Sequence, residues 1–191
     1  LDLNADNASQ TTEHISAAGG KAIALTADIS DLAAAQKSVA TLGEAFGPVD
    51  GLVNNAGWDK ASSFLDSDAD LWRKVIDINL YGPVNVTHTC LKVMSEQGRG
   101  RVVSIASDAG RVGSSGEAVY SACKGGAIAL MKTLAREHAR QGITFNVVCP
   151  GPTQTALLED VLNESSNPEK LSEAFRRAVP MGRLGQPDDL Q

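Results

Sequence analysis

The chain has 191 residues, 42% of them hydrophobic and 21% charged, the length and composition of one globular domain with a substantial core. A net charge of -6, with no basic tract, argues against a nucleic acid or an anionic membrane as partner, because such surfaces recruit Lys and Arg. Cys90, Cys123 and Cys149 are odd in number and widely spaced, which indicates reduced thiols and neither a disulfide framework nor a CxxC site. No apolar run approaches the roughly 20 residues that span a bilayer, and Leu1 to Asn7 lack the charge and apolar stretch of a signal peptide. A cytoplasmic protein is expected.

Compact aliphatic runs alternate with longer amphipathic stretches, the pattern of β and α units wound into a parallel sheet. Leu1-Asp2-Leu3-Asn4 resembles the exit of a strand. A helix over about 5–18 follows and stops at Gly19-Gly20, where glycine takes up a left-handed cap without steric penalty. A strand is expected near Ala22 to Thr26, a helix from about Asp31, and a second strand at Gly51 to Asn54. Residues 68–94 read as one long helix or two abutting ones, with Leu71, Val75, Ile78 and Leu80 facing inward and Pro83 disturbing the ladder. Arg101 to Ser107 and Thr144 to Cys149 complete the strands around a helix over Tyr120 to Arg140. The polar stretch from Pro152 to Pro187, with Ser165-Ser166-Asn167-Pro168, is expected to be a helical excursion off the sheet and no second domain. Pro187-Asp188-Asp189-Leu190 resembles a helix's first turn, with proline at N1 and acids near the positive end of the dipole.

Tyr120 and Lys124 stand four apart in a strongly helical stretch, so both rise from one helix face about one turn apart. A tyrosine with a pKa near 10 is a poor base at neutral pH. An adjacent ammonium favours the phenolate and is expected to pull that pKa toward the working range. Two residues on a surface helix would show the same spacing, so the pair gains weight only from its neighbours. Ser107 lies thirteen residues earlier, at the carboxyl end of a predicted strand, where open α/β sheets place their sites. A turn serine before Asp108-Ala109-Gly110 is the plainer account. Asn54-Asn55-Ala56-Gly57 follows another strand, and such residues let backbone approach a ligand or cross-link strands. Asn79 sits in the apolar Ile78-Asn79-Leu80, where an amide is costly unless satisfied or used.

Taken together, Asn54-Asn55-Ala56-Gly57, Asn79, Ser107, Tyr120-x-x-x-Lys124 and Pro150-Gly151 resemble, in order and spacing, the short-chain dehydrogenase/reductase (SDR) family. That resemblance implies a Rossmann-like, doubly wound parallel α/β sheet in a single domain over residues 1–191. It also implies that the family's glycine-rich loop with the first strand, about one βαβ unit of roughly 30 residues, and its last strand fall outside this chain. Residues 153–186 would form a substrate loop or lid.

The implied activity is oxidoreduction between a secondary alcohol and a ketone with a nicotinamide cofactor. Tyr120 would be the general acid/base, Lys124 would bind the nicotinamide ribose and depress the tyrosine pKa, Ser107 would orient the reacting oxygen, and Asn79 would hold a water in the proton relay. Asp28 and Ile29 would contact the adenine, Asn55, Ala56 and Gly57 the adenosine side, and Pro150, Gly151, Thr153 and Thr155 the nicotinamide. Asp28 before Ser30-Asp31 also reads as a turn or capping aspartate. Asp2, at the end of a strand with no Arg or Lys beside it, favours NAD over NADP, since an acid there accepts from a ribose diol and repels a 2′-phosphate. It also reads as a cap.

Substrate contacts are expected from loops. Trp58 with Asp59 and Lys60, Ser107, Gly113, Glu117 and the 153–186 segment are the candidates, although Trp58 after a turn also suits packing. Residues 54–59, 107–124, 135–142 and 148–158 resemble the 2-hydroxycyclohexanecarboxyl-CoA dehydrogenase branch of the family, which implies a cyclic β-hydroxyacyl-CoA. Lys60, Arg111, Arg176, Arg177 and Arg183 would serve its phosphates, or are solvated surface charge. A 3-oxoacyl-carrier-protein reductase shares the catalytic residues, and a non-catalytic binding or regulatory module would have lost Tyr120 or Lys124. His14, His88 and His138 have no partners at ligand spacing, so no metal is expected. The family's habit implies a homotetramer.

Overall fold

Three short aliphatic runs pair side by side in the computed structural model, which describes residues 1–163, 165 and 167–190. Strands β1 (Gly51–Asn54), β2 (Gly100–Ile105) and β3 (Ile143–Val148) form a parallel sheet in that order, with Val53 opposite Val103 and Val103 opposite Asn146. Parallel neighbours need long crossovers. Helices α3 (Ala69–Ile76) and α4 (Gly82–Gln97) supply the first, and α5 (Ala109–Val112) and α6 (Ala118–His138) the second. Helices α1 (Ala5–Ala17) and α2 (Leu32–Phe46) precede the sheet.

Caps explain where these helices start. Asn4 accepts hydrogen bonds from the N–H groups of Asp6 and Asn7, and Asp31 from those of Ala33 and Ala34, which satisfies donors that a first turn leaves free. Ala35, Val49, Val86, Cys90, Leu91, Met94, Val102, Met131, Ile143 and Phe145 make the core between the helices and one face of the sheet. In β1 Leu52 packs against that core, whereas Val53 alternates to the other face and is 64% exposed.

The strand expected near Ala22 to Thr26 shrinks to one parallel bridge between Asp2 and Thr26. Asp2 donates its N–H to Leu25 O and accepts from Ala27 N, both at 3.1 Å, after which Asn4 already caps α1. A single residue cannot carry a ladder.

Residues 69–97 form one continuous helical run, interrupted by a π turn at Asp77–Tyr81. Gly82 N–H bonds Asp77 O, a five-residue step, just ahead of Pro83, which has no N–H to offer the ladder. Two helices, α7 (Ala156–Asn163) and α8 (Pro168–Ala178), occupy much of the polar stretch, and Thr153 pairs with Gly185 at its ends. Ser166 of the predicted turn lies outside the described residues.

Asn54 fastens β1 to its surroundings: its Nδ2 donates to Thr87 Oγ1 at 2.9 Å and Ser104 Oγ at 3.1 Å. Asn54→Ala removes both bonds and is expected to destabilise the protein by about 1 kcal/mol, a fall in melting temperature of roughly 3 °C by calorimetry.

Candidate active site

Beyond β2 the chain still follows β3, with Ala106 N bonded to Val148 O and Asp108 N to Pro150 O, both at 2.8 Å. This delivers Ser107 to the carboxyl edge of the sheet, against α6. Gly110 permits the approach of α5 and α6, because a Cβ there would lie 2.7 Å from Gly125 N and Lys124 C. Tyr120 and Lys124 rise together from the second helix. Ser107 hydrogen-bonds the Tyr120 hydroxyl, and its Oγ also accepts Ala109 N–H at 3.1 Å, so the turn-serine role holds as well. Lys124 is 5% exposed, donates Nζ to Ile105 O at 3.0 Å and stands 5.4 Å from the Tyr120 ring centroid.

Asn79, on the π turn, is 1% exposed and fully engaged. Its Oδ1 accepts Trp58 N–H at 3.3 Å, and its Nδ2 donates to Trp58 O at 2.5 Å and Val75 O at 2.9 Å. The amide thereby pins the turn after β1. A Cβ on Gly57 would lie 3.1 Å from Asn79 Oδ1 and 3.4 Å from Lys124 Nζ, so glycine lets this turn rest on both. Asn79, Gly57, Lys124, Tyr120 and Ser107 are thus one contiguous group.

The electrostatics correct one expectation. Tyr120 is pushed up to about 12, first by burial, then by Glu117 and with a smaller push from Asp59, against the Ser107 hydrogen bond that favours the phenolate. The Lys124 ammonium sits toward the ring and is itself driven toward its neutral form by burial. Desolvation and the two acids set the direction of the shift in this chain. Asp59 was visible in the sequence only as part of a loop, yet it is buried and its carboxyl is raised to about 7, mainly by that burial.

Asn55, Ala56, Gly57 and Gly151 are exposed, and Pro150 and Thr153 are half-buried. Thr153 Oγ1 donates to Gly151 O at 2.9 Å, and Thr155 Oγ1 accepts Leu158 N–H at 3.4 Å at the start of α7. Asp28 makes a tight turn, accepting from Ser30 N at 2.8 Å and Ser30 Oγ at 2.7 Å. Asn85, which the sequence did not single out, donates to Ile29 O and Ser30 O and fixes that turn on α4. Asp2 accepts Asn4 N–H at 2.8 Å and so acts as a local cap. Trp58 carries Lys74 Nζ 3.6 Å above its ring, the packing role. Gly113 is exposed with φ +81.

Most of the cations proposed for phosphates already hold carboxylates. Arg176 and Arg177 bond Glu173, Arg183 bonds Asp189, and Arg111 stands 3.5 Å from Asp108. Lys60 lines a small cavity beside Tyr120. Among the described residues no cluster of His, Cys, Asp and Glu suits a metal ion, and no helix is long and apolar enough to cross a membrane.

A dinucleotide fits this edge on two observations. The Gly57 turn presents bare main chain against Lys124, and that ammonium has three donors with one protein acceptor among the described residues.

Comparison with known proteins identifies the family and the fold. The family model for short chain dehydrogenases matches residues 1–166. The chain is 40% identical over 167 residues to an acetoacetyl-CoA reductase of Shinella zoogloeoides, covering 85% of this chain and 66% of that relative. Solved structures of the same Rossmann-like α/β fold superpose closely. A variant actinorhodin polyketide ketoreductase with NADPH aligns over 99% of this chain and 75% of its own at 35% identity and TM-score 0.92. An NAD+-bound xylitol dehydrogenase aligns over 100% of this chain and 77% of its own at 27% identity and TM-score 0.93. The chain belongs to the short chain dehydrogenase family.

Proposed function

We propose that the protein interconverts a secondary alcohol and a ketone with a nicotinamide cofactor, and that its substrate is a β-hydroxyacyl-CoA. The observation that carries this reading is the convergence of Ser107 on the Tyr120 hydroxyl beside a buried Lys124, at the carboxyl edge of a parallel sheet. Ser107 orients the substrate oxygen through its hydroxyl. Tyr120 takes the alcohol proton during oxidation and returns it to the ketone oxygen during reduction. Lys124 holds a ribose diol with the protons that Ile105 O leaves free. Asn55, Ala56, Gly57, Pro150, Gly151, Thr153 and Thr155 line the cofactor, with Asp28 and Ile29 toward its adenine. When bound, the nicotinamide accepts or supplies the hydride.

NAD is the preferred cofactor in this reading, because Asp2 offers a carboxylate and no cation for a 2′-phosphate. The thioester follows from the acetoacetyl-CoA reductase likeness, and the finer choice is a cyclic acyl group such as 2-hydroxycyclohexanecarboxyl-CoA, held by Trp58, Gly113, Glu117 and residues 153–186. The same reading makes the protein a cytoplasmic homotetramer built on the helices around Asn79 and Tyr120.

The test is a spectrophotometric screen of the full-length protein with NAD and NADP against cyclic and linear β-hydroxyacyl-CoA esters, the corresponding carrier-protein thioesters, simple alcohols and sugars. Reduced cofactor is expected from CoA esters with NAD. Turnover confined to free alcohols or polyols overturns the thioester assignment, a strong NADP preference overturns the cofactor, and preference for a carrier-protein thioester assigns the reductase alternative.

A further inference from the structure

Asp59 follows the Gly57-Trp58 turn directly and is 8% exposed. Its carboxyl accepts the Lys60 backbone N–H, while Oδ2 has no N–H or O–H partner among the described residues. The neighbour of this carboxyl is that of Glu117, the residue at the head of α6, whose side chain makes no cap there. Two ionised carboxylates cannot hydrogen-bond each other, because both only accept; with one proton between them they can. Asp59, Glu117 and Tyr120 all line one cavity of about 20 Å³, room for roughly one water.

Among the described residues, the charged and titratable groups around this cavity are few. The turn after β1 brings Lys60, and α6 brings Glu117, Tyr120, Lys124 and the Cys123 thiol, whose pKa Asp59 helps raise. From α3 come only Leu71, Trp72 and Val75, with Trp72 Nε1 donating to Ser67 Oγ. The cations of that set are Lys60 and the buried Lys124, and the charge of Lys124, one turn beyond Tyr120, favours the ionised Asp59.

We propose that Asp59 and Glu117 share one proton beside Tyr120 and, as a positioning pair, set the pH at which Tyr120 exchanges its own. The inference rests on the reading of Tyr120 as the acid/base. Both acids raise the tyrosine, so each negative charge removed makes the phenolate easier to form. Burial raises Asp59 to about 7, which places the loss of the shared proton near neutrality. Below that pH Tyr120 faces one negative charge, and above it two.

The experiment uses full-length protein, NAD and 3-hydroxybutyryl-CoA as the probe, with kcat/KM for oxidation followed from pH 6 to 11 in wild type, Asp59→Asn, Glu117→Gln and Tyr120→Phe. The alkaline rise that reports Tyr120 ionisation is expected to move about one unit toward lower pH in each carboxyl variant. A purely structural role would lower the rate at every pH and leave that limb in place. An unmoved limb in both variants, with Tyr120→Phe inactive, overturns the pair; wild-type turnover by Tyr120→Phe overturns the acid/base reading instead. Wild-type protein gives a readout that needs no variant to fold. Infrared difference spectra between pH 6 and pH 8.5 are expected to show a protonated carboxyl band at the lower pH, and its absence also overturns the pair.

Discussion

Tyr120→Phe is expected to lower kcat by roughly 10²–10⁴-fold, the usual contribution of a positioned acid/base, while cofactor affinity and melting temperature stay close to wild type. The substitution removes one oxygen and keeps the ring that packs beside Lys124. Ser107 loses its phenol partner but keeps Ala109 N–H at 3.1 Å, so no buried polar group is stranded. Loss of rate without loss of fold therefore isolates proton transfer. Single-turnover formation of reduced nicotinamide, read alongside a thermal melt and a fluorescence titration with the cofactor, checks the three expectations separately. Direction follows from the raised tyrosine, which stands at about 12 in this chain. Oxidation needs the phenolate and gains rate as pH rises toward that value; reduction needs the phenol and loses rate over the same interval. Equal turnover in the phenylalanine variant would remove Tyr120 from the reaction.

How far such a site is legible in a sequence depends on the distance over which its causes act. The Tyr120 to Lys124 spacing is a local property of a helix, so it was readable, and the helices expected from about residue 5 and about Asp31 begin at Ala5 and Leu32. Pro83 likewise announced a disturbed ladder, which the structure resolves as the π turn that carries Asn79. Asp59 gave no such signal. Its burial arises because the head of α6, more than fifty residues later, closes over the turn that bears it, and no periodicity records that contact. The direction of the Tyr120 shift failed for the same reason, since its largest cause, burial, and the charge of Asp59 arise only on folding, although Glu117 stands three residues before Tyr120 in the sequence. The strand expected at Ala22 to Thr26 had the right residue types, yet a strand needs a partner of comparable length, and only Asp2 pairs with it. The arginines of α8 could have been read better. Glu173 lies three and four residues before Arg176 and Arg177, the helical spacing that pairs opposite charges.

Asn79→Leu tests the longest-range of these contacts, and its expected effect is large in two measurements. Leucine fills nearly the same volume at a position that is 1% exposed, so the change is chiefly one of hydrogen bonding. It leaves Trp58 N–H, Trp58 O and Val75 O without the amide that serves all three. Unsatisfied groups of this kind cost about 1–3 kcal/mol each when buried, and Trp58 is half-buried, so about 3 kcal/mol in total is the reasonable sum. For a chain of this size that is a fall in melting temperature on the order of 10 °C. The second consequence is functional. Asn79 Oδ1 stands 3.1 Å from where a Gly57 Cβ would be, so the amide holds the turn against Lys124. Released from it, the turn carries Gly57, Trp58 and Asp59 away from Tyr120 together. kcat/KM should then fall well beyond the loss explained by unfolding at the assay temperature, and the alkaline limb of the pH profile should move down as in Asp59→Asn. A variant that melts with wild type and keeps its pH profile would show that the turn holds its place without Asn79.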